Sequence, residues 1–357
     1  MNSIIKVLLL TLIVVLLSHC EKDPEPEVSI LDDNFLNALI ELGVDINGDG
    51  IISPIEAKVI LSLNVSGDSI ADFTGIELFV NLDSLDCSNN HLTTLDISKN
   101  TKLLYLDCYN NHLTNLDVLN NVFLEHLICG DNPLTTLDIS NNVALYYLWC
   151  CNAPLTSLDI SKNTALNSLF CRNNQLTTLD VSYNASLRSL ACSENQLSTL
   201  AVSNNTGIEY LECSNNPLTT LDLSKNIALE YLNCTHTQLT TLDFSNNIAL
   251  KYVNCKVNQL ITLNLFNNYA LTFLDCQANQ FTSLDLSNNN ALEVLYCGGN
   301  QLLTTLDISH CTSLTYISLW YMPYLNKVCV WKTPFPPAGV NVNTTNSPNV
   351  YFTTDCN

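Results

Sequence analysis

The chain has 357 residues and 47% of them are apolar, so it is long enough to bury a substantial core. Charged residues make up only 13% of the sequence, and 34 acidic residues outnumber 13 basic ones, which gives a formal net charge of −21. Because a surface of this sign repels phosphate backbones, the composition argues against nucleic acid as a partner. Proteins, neutral glycans and cations remain as partner classes.

The N-terminus has the features of an export signal. Lys6 precedes an apolar run, Val7 to Leu17, that is too short to span a bilayer but has the length of a signal peptide. The run ends in Leu17-Ser18-His19-Cys20, which resembles a bacterial lipobox, although His19 is unusual directly before the cysteine. We therefore predict removal of residues 1–19, lipidation of Cys20, and anchoring to the outer membrane at the cell surface through this lipid alone. The alternative is ordinary signal-peptidase cleavage nearby, with loss of Cys20.

Residues 20–30 are acidic and proline-rich, so they should form an extended tether between the anchor and the folded part. The next segment, residues 31–65, is predicted to be a small helical cap. Phe35, Leu39 and Leu42 follow helical spacing before its central loop, and Ser53-Pro54 has the form of a helix start after it.

The loop of this cap resembles the twelve-residue calcium-binding loop of an EF-hand. Calcium takes six to eight oxygen ligands, and Gly50 stands where the loop needs a sharp turn. The predicted calcium ligands are Asp45, Asn47, Asp49, Ile51 through its carbonyl, Ser53 and Glu56. The alternative is a polar turn that holds no metal. EF-hands usually work in pairs and we find one loop, so a structural calcium clip is expected rather than a switch.

From Leu85 to Tyr316 the sequence repeats with a period of 21 residues, in eleven units of which the last is longer by one residue. One cysteine in each unit marks the register: Cys87, Cys108, Cys129, Cys150, Cys171, Cys192, Cys213, Cys234, Cys255, Cys276 and Cys297. The unit resembles bacterial leucine-rich repeats of the short, internally doubled, internalin-like type. Residues 66–84 read as a degenerate first repeat, and residues 317–357 as a C-terminal cap.

Alternation explains the pattern physically. In Leu85-Asp86-Cys87, the first and third residues point into the coil and Asp86 points out. The predicted fold is a mainly β solenoid of 21-residue coils with parallel β-sheets and a helical N-terminal cap. Both halves of the repeat look strand-forming, so the sequence leaves open which sheet faces a partner. Two columns of asparagines, beginning at Asn90 and Asn100, should bind turn backbone groups that stacking buries.

The cysteine column is expected to be a row of small apolar side chains. In-register Cβ atoms about 5 Å apart exceed the ~3.8 Å of a disulfide, and a straight row cannot surround a tetrahedral zinc ion. Cys151 lies outside this column and is predicted to be an exposed thiol. Cys329 and Cys356 flank the proline-rich C-terminal segment and are predicted to form a disulfide.

Aromatic residues dominate the outward positions beside the first core leucine of each unit, which suggests a binding surface. The alternative is that aromatic residues simply favour strands and stack along the ladder. The predicted partner-binding residues are Tyr105, Tyr147, Trp149, Phe170, Tyr210, Tyr231, Tyr252, Phe273 and Tyr296.

A second outward column carries aspartates from Asp96 to Asp307, which we expect to bind neighbouring hydroxyls and turn amides; recruitment of cations is the alternative. We find no nucleophile elbow, zinc-binding histidine pair or phosphate loop, so the chain is predicted not to be an enzyme. The expected function is recognition of a protein at the cell surface, by a monomer. The alternative is a lipoprotein that captures glycans for nutrient uptake.

Overall fold

The structure is a computed structural model and describes residues 29–356. The predicted signal peptide, the lipidation of Cys20 and nearly all of the tether lie outside the described residues. Across residues 29–356, no helix combines the length and apolar character needed to cross a membrane.

The N-terminal cap contains two short helices. Helix α1 spans Asp33–Glu41, and Asp32 caps it by accepting hydrogen bonds from the backbone N–H groups of Asn34 and Phe35. Helix α2 spans Pro54–Ala57 and begins with a capping box between Ser53 and Glu56. The ring of Phe35 stacks on Phe73 with centroids 4.4 Å apart, which joins the cap to the first coil.

Leu42, the last residue of the helical spacing noted in the sequence, lies outside α1. The helix ends at Glu41, and Leu42 lies in the following turn with 53% of its surface exposed. Phe35 and Leu39, which lie within the helix, are fully buried.

The first half of each repeat contributes one three-residue strand to a 14-stranded parallel sheet. The strands in chain order are β1 Ser62–Asn64, β2 Ser84–Asp86, β3 Tyr105–Asp107, β4 His126–Ile128, β5 Tyr147–Trp149, β6 Ser168–Phe170, β7 Ser189–Ala191, β8 Tyr210–Glu212, β9 Tyr231–Asn233, β10 Tyr252–Asn254, β11 Phe273–Asp275, β12 Val294–Tyr296, β13 Thr305–Asp307, β14 Tyr316–Ser318, β15 Lys327–Cys329, β16 Asn341–Asn343 and β17 Tyr351–Thr353. The long sheet runs β1 to β12, then β14 and β16, with equivalent residues of neighbouring coils paired. The predicted solenoid of parallel-stranded coils is confirmed.

The expectation that both halves of the repeat form strands is wrong for most of the array. Within residues 29–356, a second sheet exists only near the C-terminus, where β13, β15 and β17 pair; two isolated bridges precede it, from Asp243 to Asn264 and from Asp285 to Asp307. The aspartates of these half-repeats accept hydrogen bonds from the turns that follow them. Asp96 Oδ1, for example, accepts a hydrogen bond of 2.9 Å from the backbone N–H of Ser98. The interpretation that these aspartates bind turn amides is thus correct.

The core is a continuous stack of leucine, isoleucine, valine and cysteine side chains that runs through all the coils. All eleven cysteines of the repeat register have no exposed surface, as expected for small apolar side chains. Burial raises the pKa of the Cys192 thiol to about 12, and it raises the pKa of the Cys150 and Cys171 thiols in the same direction. They are therefore uncharged and inert in the folded protein.

The asparagine columns tie neighbouring coils together. Asn111 Nδ2 donates to the carbonyls of Cys87 and Cys108, and its Oδ1 accepts from the backbone N–H of Leu92 at 3.0 Å. In the second column, Asn205 Nδ2 donates to two carbonyls of the preceding coil. These contacts confirm that the asparagines satisfy backbone groups that stacking would otherwise bury.

Candidate recognition surface and calcium loop

The outward side of the long sheet, here called the aromatic face, carries the side chains that flank the buried middle residue of each strand. In leucine-rich-repeat proteins these strands line the inner side of the arc. Every aromatic residue predicted to bind a partner lies on this face and is half-buried: Tyr105, Tyr147, Trp149, Phe170, Tyr210, Tyr231, Tyr252, Phe273 and Tyr296.

The aromatic residues form two groups. The N-terminal group consists of Tyr105, His126, Tyr146, Tyr147, Trp149 and Phe170. Its neighbouring ring planes differ by 25° to 49°, with 5.5 Å between the centroids of Tyr147 and Phe170 and 5.2 Å between those of Trp149 and Phe170. His126 links Tyr105 to Tyr147 across neighbouring strands. The prediction of this surface omitted His126 and Tyr146, although both stand in outward or adjacent positions of the repeat.

The second group, here called the ring stack, consists of Tyr210, Tyr231, Tyr252 and Phe273. Neighbouring centroids are 4.3 to 4.5 Å apart and the ring planes differ by only 6° to 12°. The spacing follows from the parallel ladder, whose strands lie about 4.8 Å apart. Each inner ring is covered on both faces by its neighbours, so the ring stack offers ring edges and hydroxyl groups to a partner. Tyr296 and Tyr316 continue the row with tilted rings.

A polar bridge joins the two groups across β7. The guanidinium of Arg172 forms an ion pair with Glu212 and donates to the hydroxyl of Tyr210 at 3.2 Å. Ala191, on the strand between the two partners, has no exposed surface. Glu212 is 12% exposed and Arg172 is 37% exposed, so the pair is partly shielded from water, and its guanidinium holds the Tyr210 hydroxyl in place. Burial, together with the neighbouring Glu212, raises the pKa of Tyr210 to about 12.

The repeat pattern does not predict this bridge, because Arg172 and Glu212 belong to coils that are two apart. The small residues Ser189 and Ala191 between them are the one available signal.

The prediction that Cys151 is an exposed thiol is wrong, because only 3% of its surface is exposed. Residues directly after the strand turn back against neighbouring coils, as the buried hydroxyls of Ser193 and Ser214 at the same repeat position also show. Burial raises the pKa of the Cys151 thiol to about 11. The adjacent Trp149 lies against Gly130, where a Cβ atom would approach the indole to about 3 Å.

The loop of the cap, which the sequence predicts to bind calcium, is ordered by its own hydrogen bonds. Gly48 and Gly50 have positive φ angles of 75° and 79°, and the two carboxylate oxygens of Asp45 accept from their backbone N–H groups. Asn47 Oδ1 accepts from Asp49 N, and Asp49 Oδ1 accepts from Ile51 N. The loop is therefore preformed by its own polar side chains.

Glu56 closes the loop. Its Oε1 accepts from the N–H groups of Ile46 and Asn47, and its Oε2 accepts from the N–H and hydroxyl of Ser53. The hydrogen bonds from Ser53 lower the pKa of Glu56, so the carboxylate is ionised.

The donor set has the chemistry that calcium prefers, because every predicted side-chain ligand supplies an oxygen. Among the described residues, however, the oxygens of Asp45, Asp49 and Glu56 do not all lie within 4.8 Å of one another. Binding of an ion therefore requires these side chains to move inward.

The outward aspartates of the second half-repeats are held by their own turns. Hydrogen bonds from the backbone and hydroxyl of the serine two residues further on lower the pKa of Asp96, Asp138 and Asp159. This explains how the column tolerates its like charges.

The predicted disulfide partners Cys329 and Cys356 are neighbours. Their sulfur atoms lie within 4.8 Å of each other but are not bonded in this structure.

The continuous parallel sheet, the 21-residue register and the asparagine columns define a leucine-rich-repeat solenoid. No protein-family model matches the chain. A solved structure does match: the functional domain of InlJ from Listeria monocytogenes, which is described as including a cysteine ladder. The two chains are 35% identical, and the superposition covers 90% of this chain and 70% of the InlJ chain with a TM-score of 0.84. The chain therefore belongs to the internalin family of leucine-rich-repeat proteins.

Two further comparisons set the limits of this assignment. Internalin J from Listeria monocytogenes serotype 4b (strain F2365) is 39% identical over 70 residues, which are 20% of this chain but only 8% of that curated relative. The structure of an internalin (InlF) from the same strain is 22% identical to this chain. The superposition covers 87% of this chain and 94% of the InlF chain with a TM-score of 0.78, so this similarity concerns the fold alone.

Proposed function

We propose that the aromatic face is a recognition surface for a protein partner. The observation that supports this most directly is the pair of aromatic groups on one face of the solenoid, with the bridge from Arg172 to Glu212 beside the second group. Exposed or half-buried aromatic residues in this number are typical of interfaces, where they supply most of the binding energy.

Comparison of the repeats within the chain supports the same surface. The inward leucines, cysteines and asparagines are nearly the same in every coil, because stacking requires them. The outward strand positions vary instead, as the third strand residues Trp149, Ala191 and Glu212 illustrate. Positions that the scaffold does not need are the ones where specificity for a partner can be encoded.

The geometry of the rings favours a protein over a glycan. A sugar ring binds an aromatic residue by lying on its face, but Tyr231 and Tyr252 are covered on both faces at 4.3 to 4.5 Å. Ring edges and hydroxyl groups are suited to the side chains and backbone of a protein. Glycan capture remains the alternative at the N-terminal group, where the rings are less parallel and further apart: the planes of Tyr147 and Phe170 differ by 40°, and their centroids are 5.5 Å apart.

The remaining parts of the chain fit a surface-exposed recognition module. We expect Cys20 to carry a lipid that anchors the protein in the outer membrane, with residues 20–30 as the tether. We expect the loop from Asp45 to Glu56 to bind one calcium ion, which would stiffen the cap that joins tether to solenoid. The protein is expected to act as a monomer and without catalysis.

The experiment compares residues 21–357 with a Tyr231→Ala, Tyr252→Ala variant on arrays of extracellular proteins and of glycans, in the presence of calcium. Removing two rings from the centre of a hot spot should weaken binding at least tenfold, since each such side chain contributes about 1 to 2 kcal/mol. The melting temperature of the variant must be measured alongside, because the ring stack also stabilises the ladder.

The matched control is a Tyr183→Ala, Tyr269→Ala variant. These two tyrosines are 59% and 58% exposed and lie in turns of the second half-repeat, away from the aromatic face. The proposal expects a protein ligand that the control binds normally and the ring-stack variant does not. A ligand that both variants bind with the wild-type affinity would contradict it, and a glycan ligand lost only with Trp149→Ala would favour the alternative.

A further inference from the structure

We propose that Cys329 and Cys356 form a disulfide that closes the last coil of the solenoid covalently. The sequence suggested this pair from its position around a proline-rich segment, and the structure places the two sulfurs next to each other, together with the carboxylate of Asp307, all within 4.8 Å.

The two cysteines are held very differently. Cys329 ends β15, the central strand of the short C-terminal sheet, and is 5% exposed. Cys356 is exposed and follows β17, which ends at Thr353, so no strand pairing holds its backbone. A disulfide needs Cβ atoms about 3.8 Å apart. The segment after Thr353 can make the small approach required without any change in the sheet.

The other cysteines do not compete for this reaction. Among the described residues, Cys356 is the one exposed cysteine, whereas the repeat column, Cys151 and Cys311 are all buried. An oxidant in solution therefore reaches the C-terminal pair first. Each thiol gives up one proton and one electron to a disulfide-containing oxidant, which leaves as two thiols, and the Cys329–Cys356 bond forms.

The surroundings should make the bond resistant to reduction. Burial, the Cys356 sulfur and the charge of Asp307 raise the pKa of Cys329 to about 11. A reducing thiolate can attack only the exposed sulfur of Cys356, and this attack must expel Cys329 as a thiolate. Thiols of high pKa are slow leaving groups.

The bond would clamp the end of the array. The segment between the two cysteines contains β16 and β17, the terminal strands of the two sheets, and Phe335, whose ring packs on Trp331 and Phe352 at 5.2 and 4.8 Å. The last coil has a neighbour on one side only, so a solenoid loses its end first. A covalent link from Cys329 to the chain beyond β17 prevents this coil from unwinding.

The test uses the full chain from residue 21, folded in an oxidising compartment. Intact mass before and after reduction should differ by the two hydrogens of one disulfide. Peptide mapping should identify Cys329 and Cys356 as the linked pair. Alkylation of the native protein should label neither of them.

Stability separates the link from a packing effect. A reductant should lower the melting temperature of the wild type by several degrees and make residues 333–356 sensitive to protease, and Cys356→Ser should show both effects without reductant. Adding reductant to Cys356→Ser should then change nothing further. The control Cys151→Ser, which alters a buried thiol outside the pair, should keep the response to reductant.

Two results would overturn the proposal. One is native protein, folded under oxidising conditions, in which Cys356 is alkylated. The other is a stoichiometric divalent metal that is lost in Asp307→Ala, because Asp307 and the two sulfurs would then be ligands of an ion rather than neighbours of a disulfide.

Discussion

The carboxamide of Asn205 should stabilise the solenoid by donating two hydrogen bonds between coils. The side chain has no exposed surface, and its Nδ2 donates to the carbonyls of Val181 and Asn184 at 2.9 and 2.8 Å. Each carbonyl also accepts one backbone N–H, from Asn184 and Leu187 respectively. Asn205→Ala therefore removes two bonds without leaving a carbonyl wholly unpaired.

The size of the effect follows from these contacts. Two lost hydrogen bonds cost about 2 kcal/mol, and the small cavity left by the amide adds about 1 kcal/mol. Against this, the Oδ1 of Asn205 is buried without a partner, and its removal relieves about 1 kcal/mol. The free energy of unfolding should fall by about 2 kcal/mol. Asn205→Asp should cost more, about 3 to 5 kcal/mol, because it turns a carboxylate toward two carbonyl oxygens in a buried site.

Denaturant unfolding, followed by circular dichroism, measures the change, and hydrogen exchange locates it in the coils beside Asn205. Asn204→Ala is the matched control, because its amide also reaches the preceding coil, donating to the Ser182 carbonyl at 3.2 Å, but from an exposed position. It should cost less than about 0.5 kcal/mol. If the Asn204 and Asn205 variants lose the same stability, or if Asn205→Asp is no worse than Asn205→Ala, the reasoning is refuted.

Three further predictions concern a turn, a strand and the cap. Val257 has a φ angle of 54°, a left-handed conformation that costs a β-branched residue about 1 to 2 kcal/mol, so Val257→Asn should raise the free energy of unfolding by about 1 kcal/mol. Burial and the neighbouring Asp86 raise the pKa of Asp107, so the charge of this carboxylate opposes folding. The stability of the protein should therefore fall as the pH rises through the folded-state pKa of Asp107, and Asp107→Asn should raise the melting temperature at pH 7. Calcium at a hundred times its dissociation constant should raise the free energy of unfolding of the wild type by about 2.7 kcal/mol, and so raise its melting temperature. It should have no effect on Asp45→Ala.

Each has a result that contradicts it. The prediction for Val257 is contradicted if Val257→Asn and Val257→Gly both unfold at a lower denaturant midpoint than the wild type. For Asp107 the contradicting result is an asparagine variant whose advantage persists at a pH where the wild-type carboxyl is protonated. For the calcium loop it is a stabilisation by calcium that survives in Asp45→Ala, or one that Asp68→Ala, an exposed acid outside the loop, abolishes equally.

The sequence by itself determined the coil, because a strict spacing of 21 residues puts equivalent side chains on top of one another. From the alternation in Leu85-Asp86-Cys87, the inward cysteines, the outward aromatic positions and the role of the asparagine columns all follow. The turns of the cap loop were also predictable, since Gly48, Gly50 and the oxygen side chains of Asp45 to Glu56 act within twelve residues of sequence.

The tertiary structure decided what depends on contacts between coils. It showed that most second half-repeats do not pair as strands, and that Cys151 is covered rather than exposed. It placed Arg172 on Glu212 across an intervening strand, and it aligned Tyr210 to Phe273 face to face, so that their edges and not their faces are free. A repeat period specifies which residues are neighbours, but side-chain angles and contacts two coils apart depend on the volume and charge of every residue between them.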